Sequence, residues 1–329
     1  MHKLTIGLVC QRYQLERQHI ALHAALDRKF SVTRRFTDDG WPRSMRDLPQ
    51  FEGHDAVVWF VRFRDLIRQP AFDWNGFAGR RVMYDLDAYQ NFSTLVGSRY
   101  LGAWPPVYRK HGFDTLVCTG KATRDHLLEC GVNAVWVPKA FDPERFHDAR
   151  QPRHGACYFG ELYDARDAML RHLERSGVQV ERFRSSFFDL NDHLNRYALC
   201  LICNMALEAP LGLRHLPRLA TRLGAARLSP GPEPMLKNFE VAASGCVALC
   251  DDIPELADLG FRDGDTMLSY RDFDELVYKI RAHLDAPEDL RRISARAAQL
   301  CRARHTWDHR MEALAQVLCG KSEAASLAV

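Results

Sequence analysis

The sequence predicts an α/β protein made of two Rossmann-like β/α/β domains in series, with a cleft between them. Short apolar runs of strand length alternate with helix-period segments along nearly the whole chain. That rhythm breaks once, at the polar stretch 148–155, and restarts beyond it. A length of 329 residues is also about twice that of a usual domain. Apolar runs without polar alternation mark strands covered on both faces, as in a parallel sheet.

The elements follow in order. Residues 4–10 read as a buried strand, followed by a helical pattern over 15–26. Strands at 30–36, 54–60 and 81–84 come next, and 115–119 leads into a helix over 121–130 that Gly131 stops. Residues 135–137 close the first series. The boundary is expected near residue 152, giving domains 1–150 and 151–320 and a frayed tail at 321–329. In the second series, strands are expected at 156–159, 178–183, 198–203, 247–250 and 267–269. The intervening helices fall at 165–175, 190–197 and 235–244, and the chain ends in helices at 273–284, 287–304 and 307–318.

Composition narrows the class. Hydrophobic residues make up 47% and charged residues 26%, as in a globular protein rather than a disordered or fibrous one. The formal charge of +3 is too small to argue for nucleic acid. No stretch reaches the ~18 apolar residues of a membrane span, and residues 1–10 lack the pattern of a signal peptide, so a cytoplasmic location is expected. Ten Cys scattered through apolar runs fit reduced, buried thiols. Cys200 and Cys203 face opposite sides of an extended strand, which argues against a redox pair. The 14 His show no metal-binding spacing, and His305 and His309 lack a third ligand in sequence. Without a Walker-type loop or Gly-x-Gly-x-x-Gly, kinases and dehydrogenases lack their phosphate cradle.

The richest segment runs from Pro234 to Leu249, where a helix carrying Lys237, Asn238 and Glu240 ends at Gly245 and a buried strand follows. With Asp251 to Leu256, Asp263 to Leu268, Phe273 to Leu276, Ala286 to Glu288 and His305 to Arg310, it resembles the nucleotide-binding half of GT-B glycosyltransferases. The likeness is to the group 1 and family 4-like set, closest to its spore-maturation-type branch. Val137 to Phe146 resembles the stretch with which such enzymes leave their first lobe, so the similarity spans residues 135–315.

The resemblance implies a glycosyltransferase of the hexosyltransferase class, working on a nucleotide-diphosphate sugar as co-substrate without a metal. Glu240 would accept hydrogen bonds from the ribose hydroxyls, which suits a carboxylate with two acceptor oxygens. The competing reading is a helix-start carboxylate favoured by the dipole. Lys237 would meet a phosphate or pair with Glu240. Gly160, at the end of Tyr158-Phe159-Gly160-Glu161, would let backbone approach the diphosphate, and Arg166 would neutralise it, unless Arg166 is a surface helix residue. Where family 4 places a second Glu, eight positions before Glu240, this chain has Pro232 and then Glu233. Glu233 either substitutes as a sugar contact or is a solvated loop acid.

In the first domain, Asp85 and Asp87 follow a strand, where carboxylates can take the acceptor hydroxyl's proton or bind acceptor hydroxyls. The Asp-x-Asp spacing also matches the metal motif of GT-A enzymes, and a plain Asx turn or helix cap would explain it too. Arg62 and Arg64 run off the neighbouring strand end, near phosphate or acceptor or simply at the surface. The acceptor is left open among saccharide, lipid-linked sugar, natural product, protein and modified DNA. The basic clusters at Arg34-Arg35, 62–68 and Arg80-Arg81 leave room for an anionic acceptor or peripheral membrane association. A nucleotide-sugar epimerase of the same fold and an inactive nucleotide-sugar-binding protein are the alternatives.

Overall fold

The computed structural model describes residues 3–15, 19–88, 102–162, 164–204 and 233–321. Pro232, Tyr89 to Asn91 and the tail beyond residue 321 lie outside them. Among the described residues there are two wholly parallel sheets, one in each of two compact units.

The first unit holds the described residues up to Pro138, Glu233, and those from Trp307 onward. Its strands are β1 (Thr5–Cys10), β2 (Ser31–Phe36), β3 (Ala56–Phe60), β4 (Arg80–Asp85), β5 (Thr115–Cys118) and β6 (Ala134–Trp136), in the order β2-β1-β3-β4-β5-β6. Helices α1 (Ile20–Lys29), α2 (Phe63–Leu66), α3 (Trp104–His111) and α4 (Lys121–Glu129) connect them. β3 is buried at every position, as its unbroken apolar sequence requires. Trp59, Met83, Leu116 and Trp104 build the core on one face. Helix α3 was not read from the sequence, because Trp-Pro-Pro looks like a loop. Proline is tolerated in a first helical turn, where its missing N–H has no intrahelical acceptor to lose.

The second unit holds Lys139 onward and Pro234 to Thr306. Strands β7 (His154–Phe159), β8 (Glu181–Phe183), β9 (Tyr197–Ile202), β10 (Val247–Asp251) and β11 (Leu268–Tyr270) lie in the order β11-β10-β9-β7-β8. Its helices are α5 (Asp164–Arg175), α6 (Leu190–Leu194), α7 (Leu236–Ala243), α8 (Pro254–Asp258), α9 (Phe273–Leu284) and α10 (Pro287–Arg304). Cys203 packs into the core face with Leu199 and Leu201, while the Cys200 thiol meets that of Cys157, its cross-strand neighbour. All ten cysteines are free thiols. The His305 ring is buried on the Leu259 carbonyl at 2.8 Å.

Two sequence expectations are corrected. The division falls after Pro138, not near residue 152. The polar segment is not a free linker, since Arg153 donates to the carbonyls of Leu194, Tyr197 and Ser244 and to Asp148 and Asn195. Nor does the second unit keep all the C-terminal helices. The last, α11 (Trp307–Leu318), belongs to the first unit. There Asp308 and Glu312 pair with Arg28 at 2.9 Å and Lys29 at 2.5 Å, both on α1. Among the described residues, no helix is long and apolar enough to cross a membrane.

Candidate active site

Each sheet has one topological switch point, where the chain leaves one strand for a neighbour on its left and returns on its right. Ligands of open parallel sheets bind outside the carboxyl ends of the strands at that point. In the second sheet it lies between β7 and β9. Gly160 follows β7 there, with a φ of +104°.

Four of the expected donor residues meet at this place. Lys237, on α7, donates to the Phe159 carbonyl, and its ammonium lies 4.4 Å from the centre of the Phe159 ring and 5.2 Å from that of Tyr158. The φ of Gly160 favours glycine, and a Cβ there would displace the tip of Lys237. Arg166 is buried, not a surface residue. It reaches across the switch point, donating to the carbonyls of Glu161 at 3.0 Å and Cys203 at 3.4 Å, and its Nη2 approaches Met235 Sδ at 3.2 Å. Burial, with Arg166 nearby, pulls the Lys237 pKa down to about 8, so the lysine stays largely protonated at neutral pH.

Glu240 is 6% exposed and lies beyond the first turn of α7, so a helix-start dipole contact does not explain it. Among the described residues its carboxylate accepts no hydrogen bond. Burial pushes its pKa up to about 7, and Lys237 offsets this only in part. Lys237 spends its ammonium on Phe159, leaving the carboxylate oxygens available to a ligand. A buried acceptor held without a partner is costly, which is the state expected of a group that waits for donors.

Asn238 has a different task. It is buried, and its Oδ1 accepts from Met235 N–H at 2.8 Å, capping the helix that carries Lys237 and Glu240. Beside this group, Asn204 donates twice to Asp251 Oδ1, at 2.6 and 3.0 Å, and so ties the ends of β9 and β10 together. Sequence reasoning did not single out that pair. The signal was an Asp at a strand's last position and an Asn two residues past another.

Glu233 is not a solvated acid. It is 4% exposed and belongs to the first unit, where Thr119 Oγ1 lies 2.9 Å from its Oε1. Its Oε2 fills the space beside Gly120 at the start of α4.

At the end of β4, Asp85 forms the Asx turn allowed for above. Its Oδ1 accepts from Asp87 N–H at 2.9 Å and its Oδ2 from Trp104 Nε1 at 3.0 Å. Burial raises the Asp85 pKa to about 7, helped by the charges of Asp87 and Glu233. Asp87 itself is exposed. Among the described residues no group of three or more His, Cys, Asp or Glu is arranged to hold a metal ion.

Gly160→Ala should destabilise the fold by ~1–3 kcal/mol through its φ, and should weaken nucleotide binding as the tip of Lys237 is displaced. Chemical denaturation and nucleotide titration check this. A variant as stable as wild type with full affinity contradicts the packing.

Residues 167–316 match the family described as Glycosyl transferase-like. Solved structures share the fold along the chain. HepE from Anabaena, in complex with UDP-glucose, is 10% identical, covering 97% of this chain and 100% of that one, with a TM-score of 0.61. Sucrose-phosphate synthase from Thermosynechococcus elongatus is 10% identical, over 98% and 100%, at 0.59. An α-glucosyltransferase in complex with UDP and a 13-mer DNA containing an HMU base is 9% identical, over 97% and 100%, at 0.56. No curated protein sequence matches the chain. The chain therefore has the two-domain GT-B fold of these glycosyltransferases, and residues 167–316 match the glycosyl transferase-like family.

Proposed function

We propose that the second unit binds a nucleotide-diphosphate sugar through Glu240, Lys237, Arg166 and the backbone at Gly160, and that the first unit holds the acceptor. Glu240 takes the ribose hydroxyls as donors. Lys237 and Arg166 face the diphosphate and stabilise the charge that grows as it leaves, a role in which fixed cations need no metal. Asp87 removes the acceptor hydroxyl's proton, and Asp85 acts as a positioning residue by holding the Asp87 backbone. The observation that carries the reading is the buried Glu240 carboxylate with no donor among the described residues, three residues from a lysine parked beside a strand-end glycine. HepE and the α-glucosyltransferase, both solved with UDP or UDP-glucose, support a UDP-type donor. A cytoplasmic setting suits the ten free thiols.

The test is incubation with nucleotide-sugars, with and without an acceptor panel and with and without a chelator. Release of nucleotide diphosphate that depends on acceptor and survives chelation supports the reading. Epimerisation of the donor alone, or binding with no turnover under any acceptor, overturns it.

A further inference from the structure

The first sheet has its own switch point, between β1 and β3. The residues that leave these two strands are Gln11 to Tyr13 and Val61 to Arg64, and they are bound to one another. Gln11 Oε1 accepts from the Arg62 backbone N–H at 3.2 Å and from Tyr13 Oη–H at 3.4 Å, while its Nε2 donates to Asp65 at 3.1 Å. On this scaffold the central carbon of the Arg62 guanidinium lies over the Tyr13 ring, 4.3 Å from its centre.

Arg62 differs from the arginines around it. Arg12 is paired with Asp39, Arg34 with Asp27, and Arg35 is spent on the carbonyls of Asp39 and Gly40. Arg81 pairs with Asp114. The nearby acid, Asp65, is engaged by Gln11 and lies 3.8 Å from Arg64. Arg62 is exposed and has no carboxylate partner among the described residues. An exposed guanidinium held beside an aromatic ring, with no carboxylate partner among the described residues, keeps N–H donors for a carboxylate or phosphate.

The same loop reaches the proposed base. The Phe63 ring packs against Trp104 in a tilted arrangement, centroids 4.2 Å apart, and Trp104 holds Asp85, which sets the turn carrying Asp87. β1, β3 and β4 are successive strands of the sheet, so the end of β4 lies one strand spacing from that of β3 and two from that of β1, ~5–10 Å.

We propose that the β1/β3 crevice of the first unit binds an anionic group of the acceptor, with Arg62 as its charge partner and Tyr13 and Gln11 holding Arg62 in place. The acceptor is then a hydroxyl compound with a carboxylate or phosphate ~5–10 Å from the hydroxyl that receives the sugar. This rests on reading the first unit as the acceptor-binding half.

The test is NMR of the full chain with isotope-labelled arginine, titrated separately with sodium phosphate, glucuronate and neutral glucose. The Arg62 Nε–H signal is assigned by its loss in Arg62→Lys. It should move saturably with at least one of the two anions and not with glucose, while ion-paired Arg12 stays still. The stronger anion tells phosphate from carboxylate. Arg62→Gln should weaken transfer to acidic acceptors by roughly ten- to a hundredfold without changing neutral ones, and Tyr13→Leu should lessen the anion response while leaving the fold intact. An unmoved Arg62 signal, or an equal response to glucose, overturns the proposal. Nucleotide titration of the same sample reads the second unit independently, so failure at Arg62 and failure of the donor reading are told apart.

Discussion

Asp87→Asn should lower the turnover of sugar transfer by roughly 10²–10⁴-fold, the contribution of a positioned general base, and leave nucleotide-diphosphate affinity unchanged. The asymmetry follows from placement. Asp87 lies just past β4 in the first unit, whereas Glu240, Lys237 and Arg166 belong to the second. Asp87 is exposed to an incoming hydroxyl, while both Asp85 oxygens are already occupied by the Asp87 N–H and Trp104. Asp85→Asn acts differently. An amide has one acceptor oxygen where the carboxylate uses two, so one of the two donors loses its partner and the turn loosens. That variant should lose stability along with turnover. Steady-state kinetics beside calorimetric donor binding separates the cases. Equal loss of turnover and donor affinity in Asp87→Asn, or no loss of either, removes Asp87 from the proton-transfer role.

Glu240→Gln should weaken nucleotide binding by ~1–3 kcal/mol, as expected for hydrogen bonds to a charged acceptor, and yet raise the stability of the free protein above neutral pH. The second half follows from burial. The Glu240 pKa rises from 4.5 to about 7 in the folded protein, so the fold favours the neutral acid. Its contribution to stability is complete below pH ~4.5, declines as the pH climbs towards 7, and above that a penalty of roughly 3 kcal/mol remains. A glutamine cannot ionise and escapes that penalty. Melting curves from pH 5 to pH 8.5 should therefore converge at the acid end and separate at the alkaline end, with the variant the more stable. Unchanged nucleotide affinity in the folded variant, or lower stability at pH 8.5, contradicts the assignment.

Much of this was legible in the sequence because it depends on local signals. Helices α9, α10 and α11 begin and end where the apolar period says, since Asp272 caps the first by accepting from Glu275 N–H and Pro287 opens the second. The helix with Lys237 and Glu240 was read for the same reason, from its small residues and the Gly245 stop.

What was missed depends on distant parts of the chain. The sequence around Glu233 carries no sign that Thr119, 114 residues away, would take it into the first unit. Arg166 sits in an acidic turn that suggests solvent, and only the closing of the sheet brings the Cys203 carbonyl within its reach. The two-unit division went astray likewise. Polar residues 148–153 find partners on α6 and at the end of α7, and α11 is recruited by two basic residues on α1.

The most direct measurement is calorimetric titration of the wild-type chain and of Glu240→Gln with UDP, GDP, ADP, CMP and dTDP, each with Mg²⁺ and with chelator. A ligand that binds only the native state also raises its stability, by ~2.7 kcal/mol at a hundredfold excess over its dissociation constant, so thermal shifts provide a second reading. One nucleotide should bind wild type equally well with and without the metal, and bind Glu240→Gln far more weakly. Binding that requires Mg²⁺, binding indifferent to Glu240, or no binding at all would contradict a donor site built from Glu240, Lys237, Arg166 and Gly160.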